Sequence, residues 1–151
     1  MKRKIVAILA SVAAVIGFSI LSAPAASAAG YGCSGNQIDS YSVKTSGGSQ
    51  YATIYLYYDS STGKNCAVTV STSAGGYGSS KPMGAWLYVC TQTSPSGTCS
   101  TTTTQGDSGN YAYYAGPVSV YAAGHCILVD GSDQWNGVTA YGSSGGASHC
   151  G

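Results

Sequence analysis

The sequence predicts an all-β domain, a small disulfide-stabilised β-sandwich or barrel of about seven or eight short strands. Three observations support this prediction. Beyond residue 28, no segment has apolar residues at the helical spacing of about 3.6. Short alternating runs rich in Val, Tyr and Thr recur instead, separated by Gly, Ser, Asn and Asp. Six cysteines in a short chain are typical of a small exported domain held together by disulfides.

The first 28 residues have the pattern of a secretory signal peptide. Lys2, Arg3 and Lys4 precede an apolar run over 5–21, and Ala26-Ser27-Ala28 offers a small-residue cleavage site. A membrane anchor is the alternative, but the run is slightly short for a span and the cleavage site follows it directly. We therefore expect a signal peptide over 1–28, one all-β domain over 29–151, and a secreted, extracellular protein.

The first half of the domain contains three strand candidates. A first run covers 37–43, and the clearest one is "YATIYLYY" at 51–58, which places aliphatic residues on one face and aromatic residues on the other. Turn-forming residues at 59–65 lead into a strand at 66–71. The second and third strands are therefore predicted to form a hairpin.

The second half is predicted to alternate loops with strands. A Gly/Ser loop covers 73–80, and the segment 92–109 is rich in Ser, Thr and Gly, has no apolar pattern and is predicted as a long loop. A turn is expected at Gly116-Pro117. The predicted strands are 84–91, 111–115, 118–122, 126–129 and 137–141.

The charge of the predicted domain argues against polyanionic partners. Residues 29–151 contain no Arg, Glu or Phe, and their three lysines are outnumbered by five aspartates, which gives a net charge near −2. Without a basic patch, neither nucleic acid nor an anionic membrane is an expected partner. No cofactor motif is present in the sequence.

Two short strings resemble the active site of a chymotrypsin-like protease. Gly106-Asp107-Ser108-Gly109 matches the segment around the nucleophile, and Ala123-Gly124-His125-Cys126 matches the histidine segment. Their order is reversed relative to that family, and the chain is too short for its two barrels. We therefore expect a turn at 107–110 and no enzyme activity. A small hydrolase built from Ser108, a histidine and an aspartate is the alternative.

Other polar groups have a functional and a structural interpretation. Asp130 and Asp133 could act as paired carboxylates or bind calcium, but "DGSDQWNG" favours a tight turn. His125 and His149 could share a metal if a disulfide brought them together, whereas two surface histidines are the simpler interpretation. No C-x2-C pair is present, which argues against zinc.

Aromatic residues are the most informative feature for binding. Strand alternation places five of them opposite the aliphatic face, where they could form an exposed platform for sugar rings or flat polymers. Tyrosine used as core filler is the alternative, because Phe is absent from the domain. The candidate binding residues are Tyr55, Tyr57, Trp86, Tyr88 and Tyr121.

Several segments resemble the spore-associated protein A family of secreted actinomycete proteins. They are Ile38-Asp39-Ser40 after Cys33, "TIYLYYDSSTGKNCAVTV" at 53–70, "DSGNYAYYAGPVSVYAAGHC" at 107–126 and "SHCG" at 148–151. The resemblance implies a short exported protein found with spores, without an assigned enzyme activity. The chain departs from the family pattern at 127–132, which reads "ILVDGS", and in having Cys90 and Cys99.

Pairing all six cysteines gives three expected disulfides. Cys90–Cys99 would close the start of the long Ser/Thr segment, Cys33–Cys66 would join the start of the domain to the hairpin, and Cys126–Cys150 would pin its end.

These features leave three classes of function. The first is a non-enzymatic structural or adhesive protein of the spore or cell surface, with a cell-wall or spore-surface polymer as partner. The second is a carbohydrate-binding module that uses the Tyr/Trp face. The third is a protease inhibitor that presents the Cys90–Cys99 loop, or a small hydrolase. The oligomeric state stays open.

Overall fold

A computed structural model describes residues 30–151 and confirms the all-β prediction. The predicted signal peptide, 1–28, lies outside this range. No helix within the range is long and apolar enough to cross a membrane. A short 3-10 helix, η1, covers Ser73–Gly75. The strands are β1 (Asn36–Lys44), β2 (Gln50–Asp59), β3 (Lys64–Ser71), β4 (Lys81–Cys90), β5 (Thr101–Tyr111), β6 (Tyr114–Tyr121), β7 (Ile127–Trp135) and β8 (Val138–Ser143).

All eight strands belong to one antiparallel sheet that curls into a nearly closed barrel. Their order is β5-β4-β7-β8-β1-β2-β3-β6. β1 and β8 share only one register pair, Lys44 with Tyr141. β5 and β6 are the two edges of the sheet, and a short connection at 112–113 joins them. The sheet edges therefore meet at a seam between two strands that are consecutive in sequence.

The barrel interior is filled by the aliphatic face that the alternation predicts. Ile54 and Leu56 from β2 are fully buried, as are Leu87 from β4 and Val129 from β7. Burial of a side chain of this size contributes about 1.5–3 kcal/mol to stability. The period of two in "YATIYLYY" and "GAWLYVC" therefore identifies the inward residues correctly.

A second apolar layer lies outside the barrel, over β2 and β3. Tyr57, Val68 and Val70 are buried there together with the Cys33–Cys66 disulfide. The segment 30–35 covers this layer, because Cys33 is fully buried in it and Tyr31 stacks on Tyr55. β3 consequently places its valines outward and its polar Thr69 and Ser71 at buried positions on the opposite face.

The three disulfides have the expected pairings, Cys33–Cys66, Cys90–Cys99 and Cys126–Cys150. Cys90 and Cys126 are fully buried and pack together with Ala147. The bridge at Cys126 thus fastens the C-terminal segment to the start of β7.

The prediction of a loop over 92–109 is correct for 92–100 and wrong for 101–109, because β5 begins at Thr101. The strand pairs with β4 along its length and is exposed on both faces over most of it. Backbone hydrogen bonding stabilises this strand without burying side chains, so no apolar alternation marks it. The expected turn at 107–110 is therefore also wrong.

Two further expected turns lie inside strands. Gly116-Pro117, which has a cis peptide bond, forms a bulge within β6, so the two predicted strands are one. Proline is tolerated at a bulge in an edge strand because it has no N–H to donate. Asp130 and Asp133 belong to β7 rather than to a turn.

Candidate functional site: an aromatic trough on the outer face

Two shallow pockets lie side by side on the outer face of β5-β4-β7-β8. They have volumes of about 500 Å³ and 420 Å³, and Trp86 and Tyr141 line both. We call this surface the aromatic trough. Its other lining residues are Tyr88, Asp130, Gly131, Gly142 and Ser143 in the larger pocket, and Pro82, Met83, Ser108, Gly109, Asn110, Ser132, Gln134 and Thr139 in the smaller one.

Two glycines hold the indole ring of Trp86 against the sheet. A Cβ atom on Gly84 would come within 2.1 Å of the six-membered ring, and one on Gly106 within 2.4 Å of the five-membered ring. Gly106 is the register partner of Trp86 on β5. The indole therefore spans both glycines, because any side chain at these positions would push the ring away from the backbone.

Tyr88 and Asp130 lie at the larger pocket. Burial raises the pKa of the Tyr88 hydroxyl, and the charge of Asp130 and hydrogen bonding with it raise that pKa further. The hydroxyl therefore remains neutral, as a hydrogen-bond donor, at physiological pH. Trp86 is the register partner of Asp130, which places the carboxylate on the same face as the indole.

Tyr141 forms the exposed rim of the trough. Its side chain is 70% exposed, and its register partners are Lys44 on β1 and Ser132 on β7. The trough thus combines flat aromatic surfaces with hydroxyl, amide and carboxylate groups, which suits a sugar ring and its hydroxyls.

In residues 30–151 no group of three or more His, Cys or Asp residues is placed to hold a metal ion.

The structure brings together two of the five predicted aromatic residues, Trp86 and Tyr88. Tyr55 lies on β2, which three strands separate from β4 in the sheet order, and stacks on Tyr31. The expectation that Tyr57 is part of an exposed platform is wrong, because it is only 5% exposed beneath the segment 30–35. Tyr121 is exposed on β6, beside Gly63.

Sequence reasoning missed Tyr141 and Asp130 as members of the trough. The alternation of β8 does indicate that Tyr141 lies opposite the buried Ala140. Its position beside Trp86 depends on the strand order β4-β7-β8, which the sequence does not reveal.

The alternative of a carboxylate pair formed by Asp130 and Asp133 is wrong, because the two residues face opposite sides of β7. Asp133 is fully buried, and neither carboxylate oxygen has a hydrogen-bond partner in the part of the chain that the structure describes. Burial raises the pKa of Asp133, and the nearby Ser71 hydroxyl and the positive charge of Lys81 offset part of this rise. A shared site of the two carboxylates is therefore ruled out by geometry.

The protease-like strings are separated and have other contacts. Ser108 is exposed on β5, and His125 is exposed in the turn between β6 and β7. The Asp107 carboxylate accepts hydrogen bonds from the Tyr111 hydroxyl at 2.6 Å and from the Gly116 N–H at 2.7 Å. Because Gly116 is on β6, Asp107 bridges the two edges of the sheet.

A second polar cluster joins β1 to the C-terminal segment. Asp39 Oδ2 lies 2.8 Å from the Tyr41 hydroxyl and 3.1 Å from His149 Nε2, and the last two atoms are 3.0 Å apart. Burial and the Asp39 carboxylate raise the pKa of Tyr41 to about 12. His149 also lines a pocket of about 270 Å³. The Tyr41 hydroxyl therefore stays protonated at neutral pH, and the three contacts join β1 to the C-terminal segment.

Comparison with known proteins gives one informative match. No family model matches the chain, and no solved structure matches it significantly. The chain is 32% identical over 155 residues to spore-associated protein A of Streptomyces coelicolor, and the match covers 93% of this chain and 87% of that protein. Such identity over nearly the whole length shows common ancestry, and the chain belongs to the spore-associated protein A family.

Proposed function

We propose that this protein is a secreted, non-enzymatic protein of the spore or cell surface that adheres to a surface glycan through the aromatic trough. The name of the Streptomyces relative supports the location. The three disulfides are consistent with an oxidising, extracellular environment.

The main observation that supports the adhesive role is the fixed position of the Trp86 indole against the sheet. Its indole is pressed onto Gly84 and Gly106, so it is held in place before any ligand arrives. A ring that is already ordered loses little conformational entropy on binding, which favours affinity. The pockets on either side of Trp86 and Tyr141 offer room for more than one sugar residue along a chain.

The charges around the trough favour a neutral glycan over a polyanionic polymer. Asp130 is the one ionisable carboxylate among the lining residues, and Lys44 lies beside the rim as the register partner of Tyr141. One charge of each sign gives no net attraction for phosphate or carboxylate polymers. Stacking and hydrogen bonding therefore supply the binding energy, and both depend weakly on salt.

The test is retention of the purified, disulfide-bonded domain on washed spores, cell walls, chitin and cellulose. We expect retention on at least one of these, little changed by high salt, and lost in both Trp86→Ala and Tyr141→Ala. Tyr141 is mostly solvent-exposed, so its truncation costs little stability.

Tyr121→Ala is the matched control, because Tyr121 is 65% exposed but lies outside the trough. Circular dichroism checks that each variant is folded. Retention of the Trp86 and Tyr141 variants equal to that of the wild type would refute the proposal, as would failure of the wild type to bind any of these surfaces. Loss of retention at high salt would indicate a polyanionic ligand instead.

A further inference from the structure

Four exposed tyrosines form two ring pairs outside the trough. The rings of Tyr77 and Tyr113 have centroids 5.0 Å apart and planes inclined at 64°. Those of Tyr31 and Tyr114 are 5.4 Å apart at 61°. The first pair is both the closer and the more exposed, since Tyr77 is 54% and Tyr113 50% exposed, against 42% and 37% for the second.

The backbones that carry Tyr77 and Tyr113 are fixed relative to each other. Tyr77 follows η1, and Tyr113 lies in the connection between β5 and β6. The Gly78 N–H donates to the Ala112 carbonyl at 2.8 Å, and the Ser71 N–H donates to the Tyr113 carbonyl at 2.9 Å. Because both backbones are anchored, the two side chains stay close to each other. Rotation about their side-chain torsions then changes the distance between the two rings.

Within residues 30–151, the Tyr77 and Tyr113 hydroxyls differ from those of Tyr41 and Tyr111 in their hydrogen bonding. In residues 30–151, no hydrogen bond from a protein group to the Tyr77 or Tyr113 hydroxyl is found, whereas the hydroxyls of Tyr41 and Tyr111 donate to carboxylates. A phenol that is solvated and near a second phenol can lose its proton to water as it is oxidised.

The side chains that compete for oxidation are mostly protected. All six cysteines are in disulfides, and Met83 is 2% exposed. Thiol and thioether groups are the usual first targets of oxidants in proteins. Their burial or pairing leaves exposed aromatic rings as accessible targets.

We propose that Tyr77 and Tyr113 form an oxidative cross-linking site that yields a dityrosine bond within the chain. A haem peroxidase with hydrogen peroxide removes one electron and one proton from each phenol. The two radicals couple through ring carbons next to the hydroxyl groups, which forms one C–C bond. The hydrogen on each coupled carbon then moves to its oxygen, so both phenols are restored. One hydrogen peroxide is reduced to two waters for each bond formed.

The bond would join the β5–β6 connection to the loop after η1. Among the described residues, the backbone hydrogen bond from Gly78 to Ala112 already joins these two segments. A covalent link there would act on the unfolded chain as a disulfide does, by restricting its conformations. We therefore expect the cross-linked protein to have a higher midpoint of thermal unfolding than the untreated protein.

The test treats the dilute, disulfide-intact domain with a haem peroxidase and hydrogen peroxide. We expect dityrosine fluorescence in the monomer and a cross-linked peptide pair containing Tyr77 and Tyr113 in mass spectrometry. Tyr77→Phe and Tyr113→Phe should each remove most of the monomer fluorescence, because Phe keeps the ring packing and lacks the phenol. Tyr121→Phe is the control, since Tyr121 is exposed and belongs to no ring pair among residues 30–151.

Undiminished monomer fluorescence in the Tyr77 and Tyr113 variants would overturn the proposal. So would cross-links that map to other tyrosines, or that join separate molecules only. None of these outcomes depends on glycan binding, so the cross-linking site and the aromatic trough can fail separately.

Discussion

The outer faces of β4-β7-β8 and of β2-β3 are built from the same pattern and differ in what covers them. Each has aromatic or β-branched residues pointing away from the barrel. On β2-β3 the segment 30–35 and the Cys33–Cys66 disulfide bury Tyr57, Val68 and Val70. On β4-β7-β8 no segment between residues 30 and 151 buries Trp86 or Tyr141. Alternation thus shows which side of a strand is apolar, and a distant part of the chain decides whether that side is core or surface.

Removing the covering bridge should have the largest effect. The double variant Cys33→Ala/Cys66→Ala should lower the free energy of unfolding by about 4 kcal/mol, by the chain-entropy relation for a loop of 33 residues. The matched variant Cys90→Ala/Cys99→Ala removes a disulfide that closes a loop of 9 residues, and a loss of about 2.5 kcal/mol is expected for it. Denaturant titrations of both measure the difference. An equal loss in the two variants would contradict the expected dependence on loop length.

Truncating one aromatic residue on each face should separate stability from binding. Tyr57→Ala should destabilise the domain by about 3 kcal/mol, because it leaves a cavity beneath the segment 30–35, and should leave glycan retention unchanged. Trp86→Ala should abolish retention at a smaller cost in stability, since Trp86 is partly exposed. Unfolding curves and retention assays are run on both proteins. If Tyr57→Ala also lost retention while folded, the two faces would not be independent.

A methyl group under the indole should disturb the trough by itself. Gly106→Ala places a Cβ atom 2.4 Å from the Trp86 ring, so the ring must move. Overpacking of this kind costs about 1–3 kcal/mol in a core, and the lower end is expected at an exposed edge strand. Retention on glycan should fall clearly. Gly97→Ala is the control, because no atom lies within 4 Å of its Cβ position. Unchanged retention in Gly106→Ala would show that the seating of Trp86 is unimportant.

The smallest effect on the free energy of unfolding is expected from a substitution in β1, the strand that lies between the two faces in the sheet order. Tyr41 has its pKa raised from 10 to about 12, so its contribution to stability is complete below pH 10 and is lost as pH rises toward 12. Tyr41→Phe should therefore flatten the decline in unfolding free energy between pH 10 and 12. Denaturant titrations across that range test this, and an identical decline in the variant would contradict it.

Asp39 gives the opposite dependence on the acid side. Burial opposes its ionisation, but hydrogen bonds from Tyr41, Ser40 and His149 lower its pKa below the usual 3.8. Its contribution is therefore present above that value and is lost as pH falls through the lowered pKa. Because the side chain is 41% exposed, solvent screening keeps this contribution small.

The features that were predicted correctly from the sequence are those that local residue patterns determine. Period-two alternation identified the inward faces of β2 and β4, and the placement of the cysteines led to the correct pairings. The sequence did not predict β5, because the pairing of that strand with β4 stabilises it while most of its side chains stay exposed. It did not predict the burial of Asp133 either, because Asp, Gly and Ser in "DGSD" favour a turn locally and only the neighbouring strands override that preference.

The tetrapeptide Gly106-Asp107-Ser108-Gly109 shows how a familiar string can acquire a different meaning. Gly106 supports Trp86, Asp107 closes the seam, and Ser108 and Gly109 line the trough. All four residues thus serve barrel closure and surface shape. A motif search based on these four letters would assign such a chain to the hydrolases. In the structure, however, the Asp107 carboxylate accepts a hydrogen bond from Gly116 across the seam of the barrel. In this protein, the hydrogen-bond partner of the aspartate is therefore more informative than the presence of the serine.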